Sequence, residues 1–190
     1  PDKINILWQK NNYNQPNIQP WFSDKKNHDQ YDWYIFNSHW SAEKYRMMFE
    51  LPLEKCHVIK NAITHFPERQ PYREGDRCRL IFAYPCIWEE TSCISAIECM
   101  SAGLYTITTN YGALFETCAD FPVYINYDKD YKKLAYKFAY AIKHLMCQLH
   151  RDYAQDHLKL QQDYMKRFYS WHNRKTQWTN FLIGAKGAKK

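Results

Sequence analysis

The chain's 190 residues are enough for one domain or two small ones, and 45% hydrophobic against 24% charged residues is the composition of a packed core, which excludes a disordered chain. The net charge of +6 lies partly in the terminal "GAKGAKK", read as a frayed end, and is otherwise scattered, with no Lys/Arg run to mark a nucleic-acid interface. Seven cysteines, an odd number with no CxxC pair, argue against a disulfide framework or a zinc site and for reduced thiols in a cytoplasmic protein. No apolar run approaches the ~18 residues of a membrane helix, and no secretory signal pattern opens the chain. Aromatic residues reach 17%; stacking on sugars or bases would use them, and so would a tightly filled core.

Taken in chain order, "INILWQ" (4–9) reads as a short buried strand. The Asn-, Gln- and Pro-rich stretch "NNYNQPNIQPWFSDKKNHDQ" reads as loop. "DWYIFNS" (32–38) is a second strand, and Ser38 is placed to cap a helix running to about Phe49. After the break at Pro52, "CHVIKN" (56–61) is a third strand. Strand, helix, strand implies a parallel α/β sheet. The Pro-rich, charged stretch 64–78 is read as a linker between an N-terminal part, 1–63, and a second part, 79–169. "RLIFAYP" (79–85) is a strand, followed by a helix from about Ser92 to Ala102 that Gly103 stops. "LYTITT" (104–109), the turn "NYGA", a short helix "LFETCA" and an edge strand "PVYI" come next. Beyond them the pattern is helical: Tyr131, Leu134, Phe138, Ile142, Leu145 and Leu149 form one stripe, and Leu158, Tyr164, Met165 and Phe168 another. A closing helix and tail occupy 170–190.

The chemistry concentrates in "EETSCISAIECMSAG". Glu98 sits among Ile94, Ile97, Cys99 and Met100, so on this pattern it needs a partner, since burying a lone carboxylate is costly. In an open parallel sheet, ligands bind beyond the carboxyl ends of the strands. Tyr84, Pro85, Ile87 and Trp88 lie at one such end and Asn110, Tyr111 and Gly112 at the next. The helix start at Thr91, Ser92 and Cys93 offers free N–H groups to a phosphate. Two carboxylates flanking one anion site suit a ligand with hydroxyls at both ends and phosphate between, as in a nucleotide-sugar. Each piece has a plainer reading: dipole complement for Glu89 and Glu90, a core pair for Glu98, a tight turn for Gly112.

The segment "YPCIWEETSCISAIECMSAGLYTITTNYGALFE" resembles the donor-site segment of retaining, family-4-like glycosyltransferases of the GT-B fold. The residues that carry the resemblance are Pro85, Glu90, Glu98, Gly103, Asn110, Gly112 and Glu116. "YIFNSHWSAEKYRMMFELPLEKCHVIKNAI" is similar to the end of that family's N-terminal domain, and "FYSWHNRKTQWTNFL" to its closing helix. The resemblance implies a partial pair of Rossmann-like parallel sheets with a helical C-terminal segment. It implies a hexosyltransferase-type enzyme moving a sugar from a UDP- or GDP-sugar to a glycan or other hydroxyl acceptor, with retention and no metal or other cofactor. Glu90 would hold the transferred sugar at the catalytic centre. Glu98 would hold the ribose, Thr91, Ser92 and Cys93 the diphosphate, with Asn110 and Gly112 completing the donor site. The scattered charge argues for no nucleic-acid partner, a nucleic-acid-binding module being a third reading that rests only on charge and aromatics, and peripheral membrane contact is left open. The chain departs from the family between "NAI" and "RLIFAYP", where a first strand, a Gly-rich loop and a basic diphosphate clamp are expected. That departure favours the alternative, a non-catalytic nucleotide-sugar or carbohydrate-binding remnant or structural subunit.

Overall fold

The computed structural model describes residues 3–64, 80–148 and 152–188; the expected linker 64–78 therefore lies, apart from Thr64, outside the described residues. Two three-stranded parallel sheets organise the chain. The first has the order β1 (Ile6–Gln9), β2 (Trp33–Phe36), β3 (Cys56–Val58), and the second β4 (Ile81–Tyr84), β5 (Tyr105–Thr109), β6 (Val123–Ile125). This is a mixed α/β, partial Rossmann-like arrangement, with helices covering the sheets.

Period-two alternation decides what each face of the first sheet meets. Leu7, Tyr34, Phe36, Cys56 and Val58 turn to one side, against Phe22, Ala42, Tyr45 and Phe49. Ala42, Tyr45 and Phe49 are on α3 (His39–Phe49), whose start follows from its sequence: the Ser38 hydroxyl accepts the N–H of Ser41 at 3.1 Å. On the other side the rings of Trp8, Trp33 and His57 meet α8 (Trp171–Ala188). Trp8 lies 5.1 Å from Trp178, and Trp33 and His57 lie 5.9 and 4.9 Å from Phe181.

In the second sheet the register pairs Phe82 with Thr106 and Tyr84 with Thr108. Phe82 and Tyr84 pack on a core containing Ala96, Ile97 and Met100 of α4 (Ile94–Ser101), Leu114 and Cys118 of α5 (Leu114–Cys118), and Met165 of α7 (Asp152–Phe168). Ile107 faces the opposite way, onto Leu134 and Phe138 of α6 (Tyr131–Gln148). Helices thus lie on both faces of each sheet. Among the described residues no helix is long and apolar enough to cross a membrane.

Three expectations from sequence are corrected. The stretch read as loop after β1 holds two short helices, α1 (Gln19–Ser23) and α2 (Lys25–His28). Burial of Phe22 against Tyr45 and Phe49, at 4.9 and 5.1 Å between rings, outweighs the loop-like composition. Second, α4 begins at Ile94 with Cys93 as its cap, so Thr91 and Ser92 precede the helix. Third, the terminus read as frayed is helical to Ala188, because Ala185 is buried.

That extension is testable at Gly184, where an added Cβ meets nothing within 4 Å. A glycine inside a helix costs roughly 0.5–1 kcal/mol relative to alanine. Gly184→Ala should therefore raise unfolding stability by about that amount in urea titration. No gain would mean that α8 ends before residue 184 in solution.

Candidate functional site

The segments that follow the carboxyl ends of the two sheets meet one another. After β1, the Asn12 amide donates to the Glu89 carbonyl at 2.8 Å, and the backbone carbonyl of Lys10 accepts from the Thr91 hydroxyl at 2.9 Å. After β2, the Asn37 amide donates to the Thr91 hydroxyl at 3.3 Å. After β3, the Asn61 amide donates to the Ser92 hydroxyl at 3.1 Å. The strongest tie is Glu116, near the start of α5. Its two carboxylate oxygens accept the N–H groups of His39 and Trp40, each at 3.0 Å, and Oε1 also lies 3.0 Å from the Lys60 ammonium. His39 and Trp40 open α3, so Glu116 supplies an anion to the positive end of a helix in the other half of the chain. Burial by itself pushes the Glu116 carboxyl up. The two N–H bonds and Lys60 outweigh it and hold the group below its ordinary value of 4.5.

Glu90 is positioned by a backbone contact. Its carbonyl accepts the Ala113 N–H at 2.7 Å, and Glu90 and Gly112 form a parallel bridge. Gly112 has φ +67°, and a Cβ there would stand 2.5 Å from the Glu90 nitrogen. Only glycine permits both the conformation and the approach. The Glu90 carboxylate then receives the Tyr84 hydroxyl at 2.5 Å and the Trp88 indole N–H at 3.1 Å, both on Oε1. No described residue donates to Oε2. Burial, and then the bond to Glu90, holds the Tyr84 phenol protonated far above its ordinary value of 10.

The remaining residues singled out from sequence are dispersed. Glu98 is exposed on α4, whose buried stripe is Ala96, Ile97, Met100 and Ser101. Its apolar neighbours in sequence misled: the helix buries one side only, so this carboxylate faces water and needs no buried partner. Cys93 is buried, and burial pushes its thiol up to about 11. Asn110 donates its amide to Asn126 Oδ1 at 2.9 Å. The hydroxyls of Thr91 and Ser92 are engaged with the other half of the chain, as above. Sequence reasoning gave Glu116 no role, although Ser38 marked the start of the helix that Glu116 serves. It gave none to Lys60 either. Among the described residues, no group of three or more His, Cys, Asp or Glu is disposed to hold a metal ion.

No family model matches the chain, and no curated protein does. Among solved structures the chain is similar to a glycosyltransferase from Rickettsia africae ESF-5, with 14% identity, a TM-score of 0.47, and coverage of 97% of this chain and 48% of that one. The chain thus spans about half the length of that structure.

Two outcomes follow from the geometry. Gly112→Ala combines a left-handed backbone with a backbone clash, so it should cost more than about 2 kcal/mol of stability in urea titration; a cost under ~0.5 kcal/mol would mean that the Glu90 and Gly112 segments are not packed together. The lowered Glu116 carboxyl gives the second. A depressed carboxylate contributes stability that is fully present above its unfolded value and is lost as pH falls through its folded value. The wild type should lose stability as pH drops below 4.5, and Glu116→Gln should be less stable at neutral pH and show a shallower acid loss. Parallel acid titrations of the two proteins would disprove the bridge.

Proposed function

We propose that this chain takes part in glycosyl transfer, moving a sugar from a nucleotide-sugar to a hydroxyl acceptor, with retention and without a metal. The observation that carries this reading is Glu90. Its carboxylate stands at the carboxyl end of a parallel sheet, where such folds take their ligands, with one oxygen anchored by two ring donors and the other left for a ligand. An oxygen held in that way suits a sugar hydroxyl, which donates to it in a charge-assisted bond.

On this reading Glu90 holds the transferred sugar and the exposed Glu98 reaches the ribose hydroxyls. Backbone N–H groups at Thr91, Ser92 and Cys93 meet the diphosphate, and Asn110 and Gly112 border it. Catalysis is electrostatic, through stabilisation of the departing diphosphate. The donor is of UDP- or GDP-sugar type, of the kind hexosyltransferases use, and the acceptor is a glycan or other hydroxyl compound in the cytoplasm.

A second reading, binding of a nucleotide-sugar or carbohydrate without transfer, is favoured by one observation. The Thr91 and Ser92 hydroxyls are spent on Asn37 and Asn61, which draws the two halves of the chain together at the place a diphosphate would enter.

Calorimetric titration tests the residue roles, and turnover separates the readings. A hydrogen bond to a charged group contributes about 1.5–3 kcal/mol. Glu98→Gln should then weaken nucleoside diphosphate and nucleotide-sugar binding by roughly tenfold or more. Glu90→Gln should weaken the nucleotide-sugar and spare the nucleoside diphosphate. Wild-type binding with no turnover of a nucleotide-sugar panel would select the second reading, and equal losses for both ligands in both variants would refute the assigned roles.

A further inference from the structure

Away from Glu90, the junction of the two halves contains a second space. The end of β3, the start of α3 and the corner between α7 and α8 border a half-open cavity of about 660 Å³, a size usual for small-ligand sites. Lys60, Arg174, His39 and His172 line it together with Tyr164 and Phe168, whose rings lie 4.4 Å apart, and the buried Tyr169. No Asp or Glu belongs to its described lining.

Arg174 is the unusual member. It is only 5% exposed, yet its guanidinium donates to neutral acceptors: the Asn61 carbonyl at 3.0 Å, the Phe168 carbonyl and the Gln177 side-chain oxygen. No described carboxylate pairs with it. These bonds engage one N–H on each of its three nitrogens, so two of the five guanidinium N–H groups have no described acceptor. A buried charge without a counter-ion is costly, and burial draws the Arg174 pKa down accordingly. Pinning the corner by its backbone carbonyls would explain the bonds. It would not explain why a charged group is used where neutral donors would serve; the further contact of that charge is the Tyr169 ring, 5.8 Å away.

We infer that this cavity binds a phosphate monoester with an aromatic or apolar body, the phosphate against Arg174 and Lys60 and the body against Phe168 and Tyr164. A guanidinium fork and an ammonium are the pair that phosphate recognition uses. Arg174 brings a charge with no described counter-ion, and Lys60, already paired with Glu116 at 3.0 Å, brings further N–H donors. Lys60 also bonds Glu116, and the N–H of His39 does so too. An occupant would therefore share donors with the bridge that ties the halves together.

Calorimetric titration of the whole chain with phenyl phosphate, inorganic phosphate and phenol tests this. Phenyl phosphate should bind most tightly, and phenol at least roughly tenfold more weakly, since it lacks the charge. Lys60→Met and His172→Gln should each weaken phenyl phosphate about fivefold or more while leaving the circular dichroism spectrum unchanged. Arg174→Gln should abolish binding, and if that variant folds poorly the two others decide. Glu90→Gln should leave phenyl phosphate affinity unchanged, which separates this cavity from the Glu90 site. Failure of the wild type to bind phenyl phosphate at millimolar concentration would overturn the inference. So would equal affinity for phenol, affinities unmoved in both Lys60→Met and His172→Gln, or loss of binding in Glu90→Gln.

Discussion

One carboxylate carries the junction on which the site depends. Glu116 reaches from the second sheet's half of the chain to the first two N–H groups of α3, 77 and 76 residues away in sequence, and to Lys60. Helix N-termini leave N–H groups without intrahelical acceptors. Ser38 satisfies one of these at α3, and Glu116 two more. The direct bonds around it, from Asn12, Asn37 and Asn61, involve neutral donors. A charge-assisted bond is about twice as strong as a neutral one, so Glu116 fixes the approach of the halves and the amides refine it.

The same residue indirectly sets the candidate site. Glu116 lies four positions beyond Gly112 on the segment that leaves β5. Anchoring α5 anchors the turn, and the turn holds the Glu90 backbone through Gly112 and Ala113. From there Tyr84 and Trp88 orient the carboxylate. The order of dependence runs from an ion pair, to a backbone contact that only glycine allows, to a side chain that can meet a ligand.

The closing helix makes the junction two-sided. The Ile63 N–H donates to the Tyr169 carbonyl at 3.0 Å just before α8 begins, and Arg174 then bonds the Asn61 carbonyl. Downstream, Trp178 and Phe181 cover the first sheet's free face. The chain that starts in one half thus finishes on it, after building the other. This return is what forms the cationic cavity, because β3 and α3 come from the first half and the α7–α8 corner from the last third.

The elements were largely legible in the sequence, because their causes are local. Aromatic and β-branched residues marked β2, Ser38 marked the start of α3, and the stripe through Leu134 and Phe138 marked α6. The close approach at Gly112 was legible only as a turn. What the sequence did not determine were properties set by distant residues. Glu98 looked buried among apolar neighbours, but which side of α4 meets the core depends on where α5 and α7 pack. The loop-like stretch after β1 became helical because Phe22 found a pocket made by α3. Glu116 entered only as one residue of a resembling pattern and Arg174 only as part of the closing helix, neither with a partner. Their burial, and the partners they have or lack, exist only once segments many residues apart are brought together. Hydrogen bonding and desolvation act through space, and spacing along the chain does not encode that distance.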